Sequence, residues 1–165
     1  VYPHESQCSE AVELPGGTPT EKAEFRDNLI ADIAKVEQGM KIALIGVVNP
    51  LIAAIRKRGG TCLPCDLQME RTHWGDPVEK DMEKVLDSAD GVICTGMTLS
   101  NGTFDRVIER VLERSIPLTV YAQTGSAVAA RFVGAGITSL VAEPFPFSQF
   151  SANATRVFCY RGQGD

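Results

Sequence analysis

The stretch that decides the fold runs from residue 91 to residue 112 and reads GVICTGMTLSNGTFDRVIERVL. Its opening run, Gly91 to Thr95, is short and apolar, which is typical of a strand buried on both faces of a parallel sheet. A polar turn follows. From Phe104 onward, apolar residues recur at the i, i+3, i+4, i+7 and i+8 positions of a helix. The stretch therefore predicts a strand, a turn and a helix, which together form the repeating unit of an α/β fold.

The same alternation extends over the rest of the chain. Further strands are predicted over residues 40–47, 61–66, 117–122, 137–141 and 155–160. Helices are predicted over residues 20–39, 49–59, 76–89 and 126–132, with Asn49 and Asp76 as caps. Because crossovers between parallel strands are right-handed, this order gives a doubly wound, mostly parallel open sheet of Rossmann-like type in three layers.

Length and composition favour one domain. The chain has 165 residues, of which 44% are hydrophobic, enough for one well-packed core and short for two. Residues 1–19 are polar and rich in proline and glycine, so we expect a flexible arm or linker remnant there. Residues 20–165 are expected to form a single α/β domain. The amino terminus has no basic region followed by an apolar block, which argues against a signal peptide.

Charge and cysteine content limit the partners that we expect. Lysine and arginine number 16 against 21 acidic residues, and no basic run could follow a phosphate backbone, so nucleic acid is not an expected partner. No apolar run approaches the roughly 20 residues of a membrane helix. The five cysteines are odd in number and scattered, unlike a disulfide framework, so we expect a cytoplasmic, reducing location.

Four loops are expected to meet at the carboxyl ends of the strands, where open α/β sheets bind their ligands. They follow the strands that end near Gly46, Thr95, Ala122 and Val141. Their polar and glycine residues, with Asp66 from the neighbouring strand, are the predicted ligand-binding set: Gly46, Asn49, Asp66, Thr95, Gly96, Thr98, Ser100, Asn101, Gly102, Thr103, Thr124, Ser126 and Glu143.

The loop from Thr95 to Thr103 is the richest of the four. Its hydroxyl, amide and backbone N–H groups could hold a carboxylate, a phosphate or a bound water, with Thr98 and Asn101 as donors. The alternative is ordinary helix capping, although a cap needs one such residue and this loop carries five. Ser126 has the same two interpretations. Glu143 is either a ligand contact or solvated surface.

The first loop does not match a dinucleotide site. A Gly-x-Gly-x-x-Gly pattern is expected there, but only Gly46 is present, which disfavours pyrophosphate binding. Asp66 ends the next strand about 20 residues later, where an acidic residue meets a ribose hydroxyl. A nucleoside such as the adenosine part of S-adenosylmethionine therefore stays open, as does the alternative that Asp66 only ends a strand.

Cys62 and Cys65 have the spacing of redox or metal sites, and His73 could add a third ligand. Residues three apart in a strand point to opposite faces, so the sulfurs converge only if Pro64 bends the chain. The alternative is that both cysteines are small apolar strand residues. No serine-hydrolase, zinc-protease or Walker motif occurs. A catalytic triad would have to use His73, and His4 receives no role.

Residues 41–147 resemble the putative heavy-metal chelation family, a group of Rossmann-like domains. The similarity rests on Lys41 to Gly46, on the stretch from Ala89 to Thr103, on Gly125-Ser126, and on the glycine at 134 before the fifth strand. The resemblance implies metal handling without placing chelating residues on this chain. Members often carry an extra amino-terminal domain, which we expect to be reduced or missing in this chain, so a homo-oligomer could complete the site instead.

Besides a thiol metal or redox site at Cys62 and Cys65, two functions stay open. The first is binding of a small molecule or metal chelate at the carboxyl ends of the strands. The alternative is an enzyme, a lyase or a transferase, that uses S-adenosylmethionine or a nucleoside in the same pocket. The implied cofactors are accordingly a metal ion or S-adenosylmethionine, and the sequence leaves open whether the chain is an enzyme.

Overall fold

The computed structural model describes residues 3–162, which form one seven-stranded sheet with helices on both faces. In chain order the strands are β1 (Glu10–Leu14), β2 (Lys41–Ile45), β3 (Thr61–Cys65), β4 (Gly91–Thr95), β5 (Leu118–Ala122), β6 (Ser139–Ala142) and β7 (Thr155–Arg161). The helices are α1 (His4–Gln7), α2 (Pro19–Ile33), α3 (Asn49–Lys57), α4 (Met82–Ser88), α5 (Met97–Ser100), α6 (Phe104–Arg114) and α7 (Ser126–Ala129), with short 3₁₀ turns at Ala130–Phe132 and Ser148–Phe150.

The strand order is β1-β7-β6-β5-β4-β2-β3. The strands β2 to β6 pair in parallel, whereas β7 is antiparallel to both β6 and β1. The chain moves from β2 outward to β3 and then returns to the other side of β2 to form β4. Strand order therefore reverses between β2 and β4. These features confirm the predicted doubly wound, mostly parallel open sheet.

The sheet separates two hydrophobic cores, because successive strand side chains point to opposite faces. In β2, Ala43 and Ile45 face the core that α4 and α6 cover. Ile42 and Leu44 face the core that α2 and α3 cover. The strand therefore reads as a continuous apolar run, as expected for a strand covered on both faces.

The amino-terminal segment differs from the flexible arm predicted for residues 1–19. Here β1 pairs with β7, and Leu14 is fully buried against the second core. The sequence did not reveal this, because a five-residue edge strand is too short to show a period and its partner lies far along the chain. Val1 and Tyr2 lie outside the described residues. That residues 20–165 form one domain by themselves stays a prediction.

Two predicted helix starts are also corrected. Asn49 begins α3 but does not cap it, since its side-chain oxygen accepts a hydrogen bond from the backbone N–H of His73 at 2.9 Å. The helix predicted from Asp76 begins at Met82, where Asp81 is the cap. The Asp76 carboxylate instead accepts hydrogen bonds from the Arg56 guanidinium and the Thr72 hydroxyl. In both cases the side-chain oxygen that was predicted to cap a helix accepts a hydrogen bond from a residue far along the chain.

Both edges of the sheet have features that limit further pairing. At one edge, β3 contains Pro64, which has no backbone N–H, and the Pro64 carbonyl accepts the N–H of Glu79. At the other edge, β1 exposes Glu10 and Glu13. Within residues 3–162, no helix is both long and apolar enough to cross a membrane.

Candidate functional site

A cavity of about 390 Å³ lies at the carboxyl edge of the sheet, where strand order reverses between β2 and β4. Its walls come from the loops that follow β2, β3 and β4 and from the start of α4. This is the position at which open α/β sheets bind their ligands. Seven of the predicted site residues line it: Gly46, Cys65, Asp66, Thr95, Thr98, Asn101 and Thr103.

The Thr95 hydroxyl is a buried polar group at the wall of this cavity. Its oxygen is buried and has no hydrogen-bond partner within residues 3–162. The oxygen packs against Gly46, whose φ is +85°, and a Cβ added there would overlap it. A buried hydroxyl without a partner costs roughly 1–3 kcal/mol. A polar ligand atom in the cavity would recover part of that cost.

Asp66 lines the same cavity but is engaged by the backbone. Its carboxylate accepts the N–H of Val47 at 3.0 Å, of Gln68 at 2.8 Å and of Met69 at 3.0 Å. Partial burial raises the pKa of this carboxyl, but the three backbone donors outweigh burial and hold the pKa below its ordinary value. Asp66 therefore stays ionised and shapes the β2 and β3 loops, with little acceptor capacity left for a ribose.

The loop from Thr95 to Thr103 uses most of its polar side chains internally. The Thr98 hydroxyl donates to the Thr95 carbonyl at 2.9 Å, and the Ser100 hydroxyl donates to the Met97 carbonyl at 2.9 Å. The Asn101 side-chain oxygen accepts from the Thr103 hydroxyl at 2.7 Å. These bonds build the short helix α5 and the turn after it. The Asn101 amide nitrogen has no such partner in the described chain.

The predicted residues outside the cavity hold neighbouring loops in place. Gly96 packs against the Thr124 carbonyl of the loop after β5. Gly102 adopts a φ of +76° in open space, as a left-handed turn requires. The Ser126 hydroxyl lies 3.2 Å from the His4 ring. Ser100 is exposed and does not line the cavity.

Glu143 is fully buried, so its interpretation as solvated surface is wrong. It accepts hydrogen bonds from the Tyr121 hydroxyl and from the Ser148 N–H, and it lies 3.9 Å from Arg26, which also pairs with Asp27 at 2.7 Å. We call these five residues the Glu143 cluster. Burial raises the pKa of Glu143, but its hydrogen bonds prevail and lower it. Burial also raises the pKa of Asp27, and there burial prevails over Arg26.

No role was predicted for the residues that contact Glu143. Arg26 and Asp27 lie in α2, Tyr121 in β5 and Ser148 in a 3₁₀ turn, so only the folded chain brings them together. One signal was available, because Glu143 directly follows the apolar end of β6, residues 140–142. A carboxylate in that position is either at a functional edge or inside the protein.

The structure does not bring Cys62, Cys65 and His73 together. Strand β3 stays paired with β2 through Pro64, so Cys62 faces one core and Cys65 the other. Burial raises the pKa of Cys62 to about 12 and that of Cys65 to about 11. His73 lies against Trp74 instead. Among residues 3–162, no three His, Cys, Asp or Glu side chains are placed to hold a metal ion.

The family model described as "Putative heavy-metal chelation" (DUF364) matches residues 29–140, more than half of the chain. The chain belongs to this family. The match confirms the resemblance noted from the sequence and includes every cavity residue named above. A search of curated proteins found no match.

Solved structures similar to this chain include another member of the heavy-metal chelation family, a protein with unknown function from Pyrococcus horikoshii. It is 14% identical with a TM-score of 0.60, and the match covers 87% of this chain and 65% of that protein. The α-aminoadipate aminotransferase LysN from Thermus thermophilus is 13% identical with a TM-score of 0.59, covering 92% and 41%. Bna3p from Saccharomyces cerevisiae, described as a putative kynurenine aminotransferase, is 10% identical with a TM-score of 0.56, covering 90% of this chain and 39% of that protein.

The chain spans less than two thirds of the length of each of these three proteins. At such low identities the similarity shows the α/β fold and nothing about ligand or reaction.

Proposed function

We propose that this member of the heavy-metal chelation family binds a small anionic molecule, or the metal complex of such a molecule, in the cavity between β2 and β4. The Thr95 hydroxyl carries the proposal, because it is a buried polar atom without a partner at the wall of a cavity. A volume of about 390 Å³ is within the range of small-molecule sites.

Lys80 indicates the charge of the ligand. It is exposed and lines the cavity, and one of its N–H groups donates to the Met69 carbonyl at 2.7 Å. An ammonium has three donors, so two remain for an anionic group. The carboxylate of Asp66 is occupied by backbone N–H groups, which reduces its repulsion of an anion.

A metal ion would enter this cavity together with its own chelator. The described residues contain no group of three His, Cys, Asp or Glu side chains that could hold a metal ion. The chelator would therefore supply most of the ligands of the metal. The protein would then recognise the carboxylate groups of the complex through Lys80, Thr95 and the Asn101 amide. A bound metal chelate would fit the family description although the described residues hold no group of three metal-ligating side chains.

The test is calorimetric titration with citrate, the Ni²⁺–citrate complex, Ni²⁺ alone and S-adenosylmethionine. Thr95→Val removes the hydroxyl and keeps the shape of the side chain, and we expect at least about tenfold weaker binding of citrate or its complex, equal to ~1.4 kcal/mol. Thr155→Val is the matched control, because Thr155 also has a buried, unpartnered hydroxyl but does not line this cavity.

Without ligand, both valine variants should be at least as stable as the parent, since each removes an unpaired buried hydroxyl. Binding that survives Thr95→Val would place the site elsewhere. Tighter binding of free Ni²⁺ than of its citrate complex would contradict recognition of a chelate. Binding of S-adenosylmethionine alone would favour the enzyme alternative.

A further inference from the structure

Two large apolar side chains at the cavity between β2 and β4 are exposed to solvent. Leu67 is 64% exposed and Met97 is 63% exposed, and both line this cavity. Exposed apolar side chains are common when they are scattered singly over a surface. Here two of them share one cavity with the ammonium of Lys80. A ligand in the cavity would therefore meet apolar surface as well as a cation.

The strand order places these two side chains on opposite sides of the cavity. Leu67 belongs to the loop after β3, and Met97 begins α5 directly after β4. In the order β4-β2-β3, these two segments flank the loop that follows β2. Because neighbouring strands lie about 4.8 Å apart, β3 and β4 end roughly 10 Å from each other. Since carbon atoms in contact lie about 4 Å apart, this spacing suits one planar ring between the two side chains.

Hydrogen bonds fix the backbone at both positions. The Asp66 carboxylate accepts the N–H of Met69 at 3.0 Å, which closes the turn that contains Leu67. The Met97 carbonyl accepts the N–H of Asn101 at 3.0 Å. A ligand would therefore bind between segments that are already ordered, and binding would cost less conformational entropy than the ordering of loose loops.

The rest of the cavity wall is apolar with a few polar groups. The loop after β2 and the start of α4 add further apolar surface, and the polar groups include the Thr95 hydroxyl and the Lys80 ammonium. Walls of this kind favour ligands that combine an apolar body with a few polar atoms. A wholly hydrophilic anion would leave Leu67 and Met97 in contact with water. An aromatic carboxylate would cover both side chains and still offer an anion to Lys80.

We propose that the ligand of this cavity is an aromatic carboxylate, free or as its metal complex, whose ring lies between Leu67 and Met97 and whose carboxylate pairs with Lys80. This inference rests on the function proposed above and adds the chemical class of the ligand. A 2-hydroxy acid with a phenyl group meets the requirements. Its carboxylate and hydroxyl oxygens chelate a metal ion, and its ring supplies the apolar surface.

The test compares calorimetric titrations with mandelate and glycolate, each alone and with Ni²⁺. The two acids share the 2-hydroxycarboxylate group and differ by one phenyl ring. We expect mandelate to bind at least about tenfold more tightly than glycolate. Leu67→Ser and Met97→Ser should each weaken mandelate binding by about tenfold and leave glycolate binding within about twofold. Leu112→Ser is the matched control, because Leu112 is 60% exposed on α6 and does not line the cavity.

The outcomes separate this proposal from the one on which it rests. Equal affinities for mandelate and glycolate, or binding of citrate without mandelate, would overturn the aromatic class. Loss of that binding in Thr95→Val would then still support the anion site. Absence of binding for all three acids would overturn both proposals. Sedimentation velocity on the parent and Leu67→Ser tests a second copy as the occupant: a dimer that Leu67→Ser dissociates would overturn the aromatic ligand.

Discussion

The cavity between β2 and β4 and the Glu143 cluster both lie at the carboxyl ends of the parallel strands. They differ in how their polar atoms are hydrogen-bonded. In both, a carboxylate follows a parallel strand and has a lowered pKa. Glu143 is enclosed, and its partners are side chains and backbone of the protein. At the cavity, Asp66 is satisfied by backbone N–H groups while the Thr95 hydroxyl is not.

The difference separates polar groups whose hydrogen bonds are made within the protein from a polar group that has no hydrogen-bond partner in the described residues. Asp27 in the Glu143 cluster also has an oxygen without a partner, but Asp27 is fully buried and does not line the cavity between β2 and β4. Thr95 combines an unpartnered oxygen with a position on a cavity wall. Location together with hydrogen bonding therefore distinguishes the two regions, where residue type alone does not.

The largest expected effect is in the Glu143 cluster. Arg26→Met keeps an apolar stem but leaves Asp27 and Glu143 buried without their cation. We expect the free energy of unfolding to fall by about 3–5 kcal/mol, the usual cost of removing one partner from a buried ion pair. Urea denaturation measures it, with Arg106→Met as control, because Arg106 pairs with Glu83 at the surface and should matter much less. If both variants lose the same free energy of unfolding, the buried charges of the cluster stabilise the fold no more than a surface ion pair does.

The next effect is at the wall of the cavity. Gly46→Ala places a methyl group against the Thr95 hydroxyl at a φ of +85° and should lower the free energy of unfolding by about 2–4 kcal/mol. Gly102→Ala is matched in backbone angle but meets nothing within 4 Å, so its cost should be about 1 kcal/mol, from the backbone alone. If thermal or urea unfolding gives the same loss for both, the packing of Thr95 on Gly46 is not tight.

The smallest effect depends on pH and concerns Asp66. Asp66→Asn weakens the bonds to three backbone N–H groups and should cost on the order of 1 kcal/mol near pH 6. Because the pKa of Asp66 is lower in the folded chain, its stabilisation is present above about pH 3.9, the ordinary aspartate value, and is lost as pH falls through the folded pKa.

The difference between parent and Asp66→Asn should therefore shrink below about pH 4 in urea titrations. Asp105→Asn, on the surface of α6, controls for the loss of one negative charge. A difference that grows in acid would reverse the assigned direction of the Asp66 pKa shift.

Much of the fold could be predicted because buried parallel strands and amphipathic helices have strong local patterns. Strand β4 was predicted at its observed limits, Gly91–Thr95, and α6 begins at the predicted Phe104. The missed elements depend on distant partners. The pairing of β1 with β7 joins residues about 145 positions apart in the sequence. Asp76, which the local sequence pattern predicted as a helix cap, accepts a hydrogen bond from Arg56 instead.

The position of the cavity could be predicted from the sequence, but the hydrogen bonds of its walls could not. Sequence alone located the loop after β4, but it could not show that Thr98, Ser100 and Asn101 would bond within that loop. It also assigned no role to His4, because nothing local places a residue near the amino terminus beside Ser126. Hydrogen bonds between distant residues decide the use of each polar side chain, and a linear pattern does not contain them.

The two edges of the sheet have a consequence for how copies of this chain could associate. Exposed edge strands are natural templates for aggregation through strand addition. At the β3 edge, Pro64 has no backbone N–H to donate to an added strand. At the β1 edge, Glu10 and Glu13 would lie beside the same acidic residues of a second copy. Continuous sheets across two molecules are thus disfavoured. A homo-oligomer would have to form through the helical faces or the exposed aromatic residues near Phe145.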